Sequence, residues 1–387
     1  MNRSDRLISV INKRSRKIIG LMSGMSMDGI DLACAEINGD FPDLQVSLIG
    51  SHFRPYSPDF RARLISAQNA STEEISSLNF IVANEFSNCV NEYLNQNKIQ
   101  QGEIDAIGSH GQTLFHSTGT TNKVNSSLQV GSPSIISEKT GILTIGNFRV
   151  RDIAGGGQGA PLVGIADYIL FRDPHGPIAV NNLGSISNVT IVTPRSEDML
   201  AFDTGPANMA IDFFARLIPG NIEGIDKDGK LSGQGVCIQK LLESLLKHPF
   251  FEQLPPKAAG YDEFGPSVLS AISRPYVAYP SNDLIRTAVE FAATTIERAY
   301  RKFVFPRFPD LKTAHFSGGG IYNLTLMSRI KDLLPELRVN LLESSLADSK
   351  EALAFAILAN ETLSGRPGSI NSITGVKNPM VLGEIAL

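Results

Sequence analysis

The stretch Lys17–Ile37 reads KIIGLMS, GMSMDG and IDLACAEI in succession: an apolar run, a turn of small residues and a second apolar run. A glycine-punctuated turn between two apolar runs predicts a β-hairpin. The pattern returns at Ile178–Thr193 as IAVNNL, GSIS and NVTIVT. The echo is one of pattern and not of identity, and it points to a duplication in which a hairpin opens each half of the chain. After the first hairpin, Ser71 and Glu74 form a capping box ahead of Ile75, Leu78, Ile81 and Val82 at helical spacing, which predicts a helix over Ser71–Leu94. A short buried strand is expected at Ile104–Gly108. After the second hairpin, Asp283–Phe303 reads as an amphipathic helix and Ala314–Ser317 as a strand entering Gly318-Gly319-Gly320. A last helix is expected over Leu346–Leu363, stopped by Gly365 and Pro367. Strands and helices alternate through both halves, which predicts an α/β fold of two duplicated mixed-sheet lobes around a central cleft. The expected division is a basic extension over 1–17, an N-terminal lobe over 18–175 and a C-terminal lobe over 176–387.

Composition agrees with two lobes and narrows the function. A chain of 387 residues favours two domains at roughly 100 to 200 residues each. With 42% hydrophobic and 19% charged residues there is enough apolar material for packed cores. A formal charge of −4 gives no bulk attraction to polyanions, so nucleic acid is not expected as a partner. Three separated cysteines (Cys34, Cys89, Cys237) form neither a disulfide framework nor a zinc spacing. No apolar run reaches the 18 or more residues of a membrane span, and the cluster Leu7–Ile11 is too short for a signal-peptide core. No membrane association is expected, and the cytoplasm is the expected compartment.

Three glycine-rich turns carry the candidate chemistry. In Ser23-Gly24-Met25-Ser26-Met27-Asp28-Gly29, the glycines let consecutive backbone N–H groups face one way and make a concavity suited to phosphate. Asp28 would repel a bare phosphate, so a divalent cation is expected between them; a tight hairpin with Asp28 stabilising its own turn is the alternative. In Phe202-Asp203-Thr204-Gly205-Pro206-Ala207-Asn208, a carboxylate at a strand end precedes a helix expected over Ala207–Leu217, whose free N–H groups would hold phosphate while Asp203 accepts a proton; a plain helix cap is the alternative. Ser317–Asn323 (SGGGIYN) is the third turn, fit for close approach by a flat or bulky group or simply for a reversal of the chain. Two polar clusters, Gly108–Thr113 with His110 and Asn147–Asp152 with Arg149 and Arg151, read as donor-rich loops suited to a polyol bearing a carboxylate. A structural histidine and a surface ion pair are the competing readings there. The other histidines show no ligand spacing, so no zinc site is expected.

Taken in order, GLMSGMSMDGID (Gly20–Asp31), GSHGQT (Gly108–Thr113), FRVRDIAGGGQGAPLV (Phe148–Val163), FDTGPAN (Phe202–Asn208), PPKAAGYDEFG (Pro255–Gly265), SGGGIYN and the closing SGRPGSINSITG resemble the anhydro-N-acetylmuramic acid kinase family. The resemblance implies the actin-like and hexokinase-like ATPase fold. It also implies a kinase that opens the 1,6-anhydro ring of its sugar and phosphorylates O6, with ATP and Mg2+ as cofactors and a homodimer as the assembly. Carried over by residue, the ATP-binding segment is Gly24, Met25, Ser26, Met27, Asp28, Gly29, Ile30 and Asp31, joined by Gly205 and by Gly318, Gly319 and Gly320 at the adenosine. Asp203 and Glu351 are the implied catalytic carboxylates. His110, Arg149 and Asp152 are the expected sugar contacts, and Asp28 and Asp203 the expected metal ligands. Met25 and Met27 stand where the family usually has Thr and Leu, and Asn147 where it usually has Asp. Another 1,6-anhydro sugar such as levoglucosan, a nucleotide-dependent conformational switch and a binding module without activity are the alternatives.

Overall fold

The structure, a computed structural model, describes residues 2–24, 26–117 and 124–387. Met25, one of the residues expected at the nucleotide, lies outside them. Two sheets carry the chain. The first begins with β1 (Ser15–Ser23), β2 (Gly29–Asn38) and β3 (Gln45–Pro55), paired antiparallel in sequence. It continues through β4 (Ala106–Ser117), which runs parallel to β1 and takes β5 (Ser126–Val130) along its far half, and β6 (Thr144–Gly146), parallel to β4. The C-terminal strand Glu384–Ala386 closes that edge.

The second sheet repeats the plan. An antiparallel meander of β7 (Ile178–Leu183), β8 (Ile186–Val192) and β9 (Leu200–Pro206) is followed by β10 (Thr313–Ser317), parallel to β7, and β11 (Arg338–Leu341), parallel to β10. The orders β3-β2-β1-β4-β6 and β9-β8-β7-β10-β11 are one topology used twice. The paired hairpins of the sequence are therefore the first two strands of two copies of the same mixed sheet.

The chain divides into one compact unit of Met1–Leu170 with Asp348–Leu387 and a second of Phe171–Ala347. This departs from the expected division. The helix Ser344–Leu363, expected in the C-terminal lobe, packs in the first unit: ideal Cβ atoms at Gly20 of β1 and Gly108 of β4 would overlap the carbonyl oxygens of Ala352 and Phe355. Gly20 and Gly108 are register partners, so two missing side chains on adjacent strands form one groove in which the helix backbone lies against the sheet. Residues 1–17 are likewise no loose extension. Arg3–Ile11 is a helix capped by Asn2, and Arg16 is buried, donating to the Val10 carbonyl and to Asn360 Oδ1.

Local signals mark most helices. Ser71 Oγ accepts from Glu74 N at the start of Thr72–Gln96, but the Glu74 carboxylate binds Arg63 rather than returning to the cap, so only half of the expected capping box forms. Ser281–Ala299 continues into a π-turn over Tyr300–Val304. Each unit has its own core: Ile19, Leu21, Ile30, Phe86 and Val90 in the first, Val189, Phe214, Phe250, Phe291 and Phe316 in the second. Among the described residues, no helix is long and apolar enough to cross a membrane.

Candidate active site

In the first unit, the turn between β1 and β2 is bound in place from below. Gln112 Nε2 donates to Gly24 O (3.1 Å), and Ser23 Oγ lies within hydrogen-bond reach of Gly29 O (2.8 Å) and Gln112 Oε1 (2.6 Å) while accepting from Tyr56 (3.2 Å). Arg61 donates to Ser26 O, and Ser26 Oγ donates to Asp28 Oδ1 at 2.7 Å. Ser26 and Asp28 are exposed, while Met27, with φ +49°, and Ile30 bury their side chains in the core. Met27 and Ile30 therefore offer a ligand backbone only, and leucine-for-methionine packing at position 27 is a change within the core. Gly29 is buried too, with no room for a Cβ against the Phe53 ring.

Acidic groups gather beside this turn. Asp31, on β2, is pushed up to about 7 by burial first and then by the charges of Asp28, Glu351 and Asp348. Glu351, at the front of the helix that Gly20 admits, is also raised, by burial and by Asp167, against the pull of Lys350. Lys350 itself is buried and bonds Asp167 at 3.1 Å. No group of three or more His, Cys, Asp or Glu among the described residues is placed to hold a metal ion by itself. An oxygen-only set with one or two carboxylates fits Mg2+ that takes its remaining ligands from nucleotide phosphates and water.

The two polar clusters prove to be regular structure. Gly108–Thr113 lies inside β4, with Gly111 at φ +74°, and Phe148–Ala154 is a helix. Gln112 survives in β4 because Ser23 and the main chain of Gly24 and Thr113 bond its amide. His110 is buried, against the Phe355 ring. Its Nε2 lies 3.0 Å from the Arg149 guanidinium, which can only donate, so Nε2 accepts and the proton sits on Nδ1, 3.0 Å from Gly111 O. Burial, and next the Arg149 charge, push His110 down to about 3. Arg149 is itself lowered to about 10, chiefly by burial. It donates to Gly159 O at 2.8 Å, and its Nε, Ser109 Oγ and both ring nitrogens of His116 are buried with no partner among the described residues. Ser109, one of these orphaned groups, lines a cavity of 210 Å³ together with His110, Gln129 and Asn147, which marks a candidate polar ligand site.

Asp152 belongs beneath that site and not in it. It is fully buried; Oδ2 accepts from Gly159 N (2.7 Å) and Oδ1 from Thr374 (2.8 Å), so it shapes the Gly155–Gly159 loop on which Arg149 rests. Asn147 stands at φ +55° ahead of the helix and donates to Glu384 Oε2 at 2.9 Å. An aspartate at 147 would meet Glu384 with like charge, which gives the departure from the family pattern a physical reason.

In the second unit, Asp203 sits half-buried on β9. Its N–H donates to Lys257 O (3.0 Å), and its Oδ2 accepts from Ala259 N (2.7 Å). Oδ1 takes no donor among the described residues. Burial pushes the carboxyl up to about 7; the Ala259 bond opposes this, Glu263 adds to it, and Lys257 opposes it. The neighbouring helix start does not supply what was expected of it: the N–H groups of Ala207, Asn208 and Met209 already donate to Gly184 O and Ser185 O of the β7–β8 turn. Gly205 is buried at φ +147° against Thr295 and Phe251. Gly318, at φ +84°, leaves β10 against Asn182 and Leu183, with Gly319 and Gly320 passing Asn208, so the third glycine turn lies beside the β7–β8 turn.

The structure thus joins Asp28, Asp31 and Glu351 in one cluster, His110 with Arg149 in another, and Gly205 with Asp203 on one strand. Lys257 and Ala259, which hold Asp203, and Ser23, Tyr56 and Gln112, which hold the first turn, had no assigned role in the sequence reading. The PPKAAGYDEFG motif was the available signal for the first pair, since it has no pattern of its own that a helix or strand would require.

The sequence profile of the family described as "AnmK: Anhydro-N-acetylmuramic acid kinase" matches residues 16–387. The chain is 40% identical to an anhydro-N-acetylmuramic acid kinase of Caldanaerobacter subterraneus subsp. tengcongensis over 99% of this chain and 100% of that one. It is 35% identical to one of Bacillus cereus over 95% of this chain and 98% of that one. Among solved structures, a ROK family glucokinase from Streptomyces griseus in complex with glucose and AMPPNP covers 88% of this chain and 98% of its own, at 11% identity and a TM-score of 0.37. With a profile matched from the first strand to the last residue and full-length relatives at this identity, the chain belongs to the anhydro-N-acetylmuramic acid kinase family.

Proposed function

We propose that the chain hydrolyses the 1,6-anhydro bridge of anhydro-N-acetylmuramic acid and passes the γ-phosphoryl group of ATP to the released O6, forming N-acetylmuramate 6-phosphate and ADP. Asp203 is the general base. The carrying observation is its carboxyl: raised to about 7, fixed through Oδ2 and the main chain, with Oδ1 uncommitted. A base near the working pH takes a proton from water while remaining ionised enough to start the cycle. Water then adds at the anomeric carbon, the C1–O6 bond breaks, and O6 attacks phosphorus.

The other residues position the reactants. His110, neutral and locked as the Nδ1–H tautomer, and Arg149, with an uncommitted Nε, hold the sugar's polar groups. The Gly24–Gly29 turn, fixed by Gln112 and Arg61, offers backbone N–H groups to phosphate, and Gly318–Gly320 borders the adenosine. Asp28 and Asp31 would hold Mg2+, which would supply neutralisation of charge developing on the transferred phosphoryl group. Of the two metal ligands expected from the sequence, Asp28 retains that role beside Asp31, and Asp203 is given the role of base instead. Glu351, driven toward its neutral form by burial, orients the acidic cluster. ATP as co-substrate fits the cytoplasm, and a homodimer fits the family.

Asp203→Asn tests the reading. Loss of a general base lowers kcat by about 10² to 10⁴, with ATP affinity retained; near-parental turnover of the anhydro-sugar would remove Asp203 from the chemistry.

A further inference from the structure

The second unit contains a cavity of 320 Å³ that the reaction above does not use. Thr204, next to Asp203, forms part of one wall, and the side chains of Lys257, Arg298, Arg301, Lys302, Glu252 and Glu297 bring four cations and two carboxylates to it. The carboxylates are engaged. Glu297 accepts from Arg301 Nε (3.0 Å) and Glu252 from Lys302 Nζ (2.8 Å), while Arg301 also reaches Glu336 (2.6 Å). Lys257 and Arg298 form no close ion pair with a carboxylate among the described residues, and Glu252 acts on them only as a neighbouring charge.

Lys257 is only 8% exposed. Its ammonium donates to Phe250 O at 3.1 Å and stands 4.4 Å from the Phe250 ring centre and 5.1 Å from that of Phe303. Burying an ammonium with three donors on one carbonyl and two ring faces is costly unless a counter-anion completes it. Burial, and next the charge of Lys302, push this ammonium down to about 8. Arg298 also lines the cavity, an exposed guanidinium whose planar fork suits oxyanions. Phe251, Phe303 and Ala299 supply an apolar wall for the body of a small molecule.

We propose that this cavity binds a phosphate monoester, its phosphoryl oxygens on Lys257 and Arg298 and its body on the phenylalanine wall. A phosphoryl dianion matches in charge two cations that no carboxylate meets in an ion pair, and the cavity volume is at the lower end of those that hold small ligands, about 300 to 1,000 Å³. The site is distinct from the carboxylate of Asp203, though the same Lys257 that lines it accepts the Asp203 N–H through its carbonyl. It does not depend on the proposed reaction, and it fails or stands separately.

Calorimetric titration of the full chain with glucose 6-phosphate, and in a second arm with inorganic phosphate, tests it, each in the presence of a saturating non-hydrolysable ATP analogue. The expected result is saturable binding of at least one probe that weakens tenfold or more in Arg298→Glu, with ATP-analogue affinity unchanged. Tighter binding of the ester assigns the site to phosphorylated metabolites, and equal binding assigns the phosphoryl group alone as the recognised element. Lys257→Gln, which keeps the main-chain contact to Asp203, is expected to weaken binding as much. Because Arg298 is exposed and makes no bond that the fold needs, its variant decides the matter if the lysine variant fails to fold. No binding to the parent, or binding unchanged in Arg298→Glu, would overturn the proposal.

Discussion

If Asp203 is the base, the pH profile of kcat/KM is fixed by its surroundings. Burial places its carboxyl at about 7, against 3.8 for an ordinary aspartate. Only the ionised form accepts a proton, so activity is lost as pH falls through that value. The ionised fraction is about one-half at pH 7, about one-eleventh at pH 6 and about one-hundredth at pH 5, whereas an unshifted aspartate would hold activity level down to about pH 5. His110 and His116, lowered to about 3 and about 4, stay neutral over this range and contribute no limb. Asp31, beside the nucleotide turn, competes for the assignment, being raised to about 7 as well. The assay is ADP release from ATP at limiting anhydro-sugar, pH 5 to 9, for the parent and for Asp31→Asn. A tenfold fall per pH unit below about 7, retained in whatever activity Asp31→Asn keeps, is expected. A profile flat to pH 5.5, or a limb that disappears with Asp31, would refute the placement of the base.

The raised pKa also makes a stability prediction. A carboxyl that prefers its proton in the folded state contributes stability that is present at low pH and lost as pH rises through about 7, so Asp203→Asn is expected to melt at a temperature that declines less than the parent's between pH 6 and 8. Gly108→Ala drives a methyl into the Phe355 carbonyl and is expected to cost about 1 to 3 kcal/mol in urea unfolding; an unaltered midpoint would mean that the helix does not sit in the glycine groove. Thr374→Val removes one of the two bonds to the buried Asp152 carboxylate and is expected to cost about 1 to 3 kcal/mol and to raise KM for the sugar through the Gly155–Gly159 loop, with KM for ATP unchanged.

What was legible in the sequence was local. The hairpins at Lys17–Ile37 and Ile178–Thr193, the Ser71 cap and the strand into Gly318 are written in neighbouring residues, and they suffice to expose the duplication. The destination of Ser344–Leu363 is not, because it is decided by two glycines more than 240 residues away, each of which looks like a turn residue from its own context. Gly108–Thr113 misleads for a similar reason: a polar string reads as a loop until Ser23, Gln129 and Arg149 arrive from elsewhere to bond Gln112 and His110. At the site, Asp203 and Arg149 stand out by residue type, but the roles of Asp152 and of the N–H groups after Asp203 depend on who occupies their bonds, and a sequence does not record that.

The most direct measurement is a single reaction of the full chain with ATP, Mg2+ and 1,6-anhydro-N-acetylmuramic acid in water enriched in oxygen-18, followed by mass spectrometry. The expected product is a sugar 6-phosphate carrying one heavy oxygen at its anomeric hydroxyl, with none in the phosphate. Heavy oxygen appearing in inorganic phosphate, with the anhydro-sugar returned intact, would contradict the account.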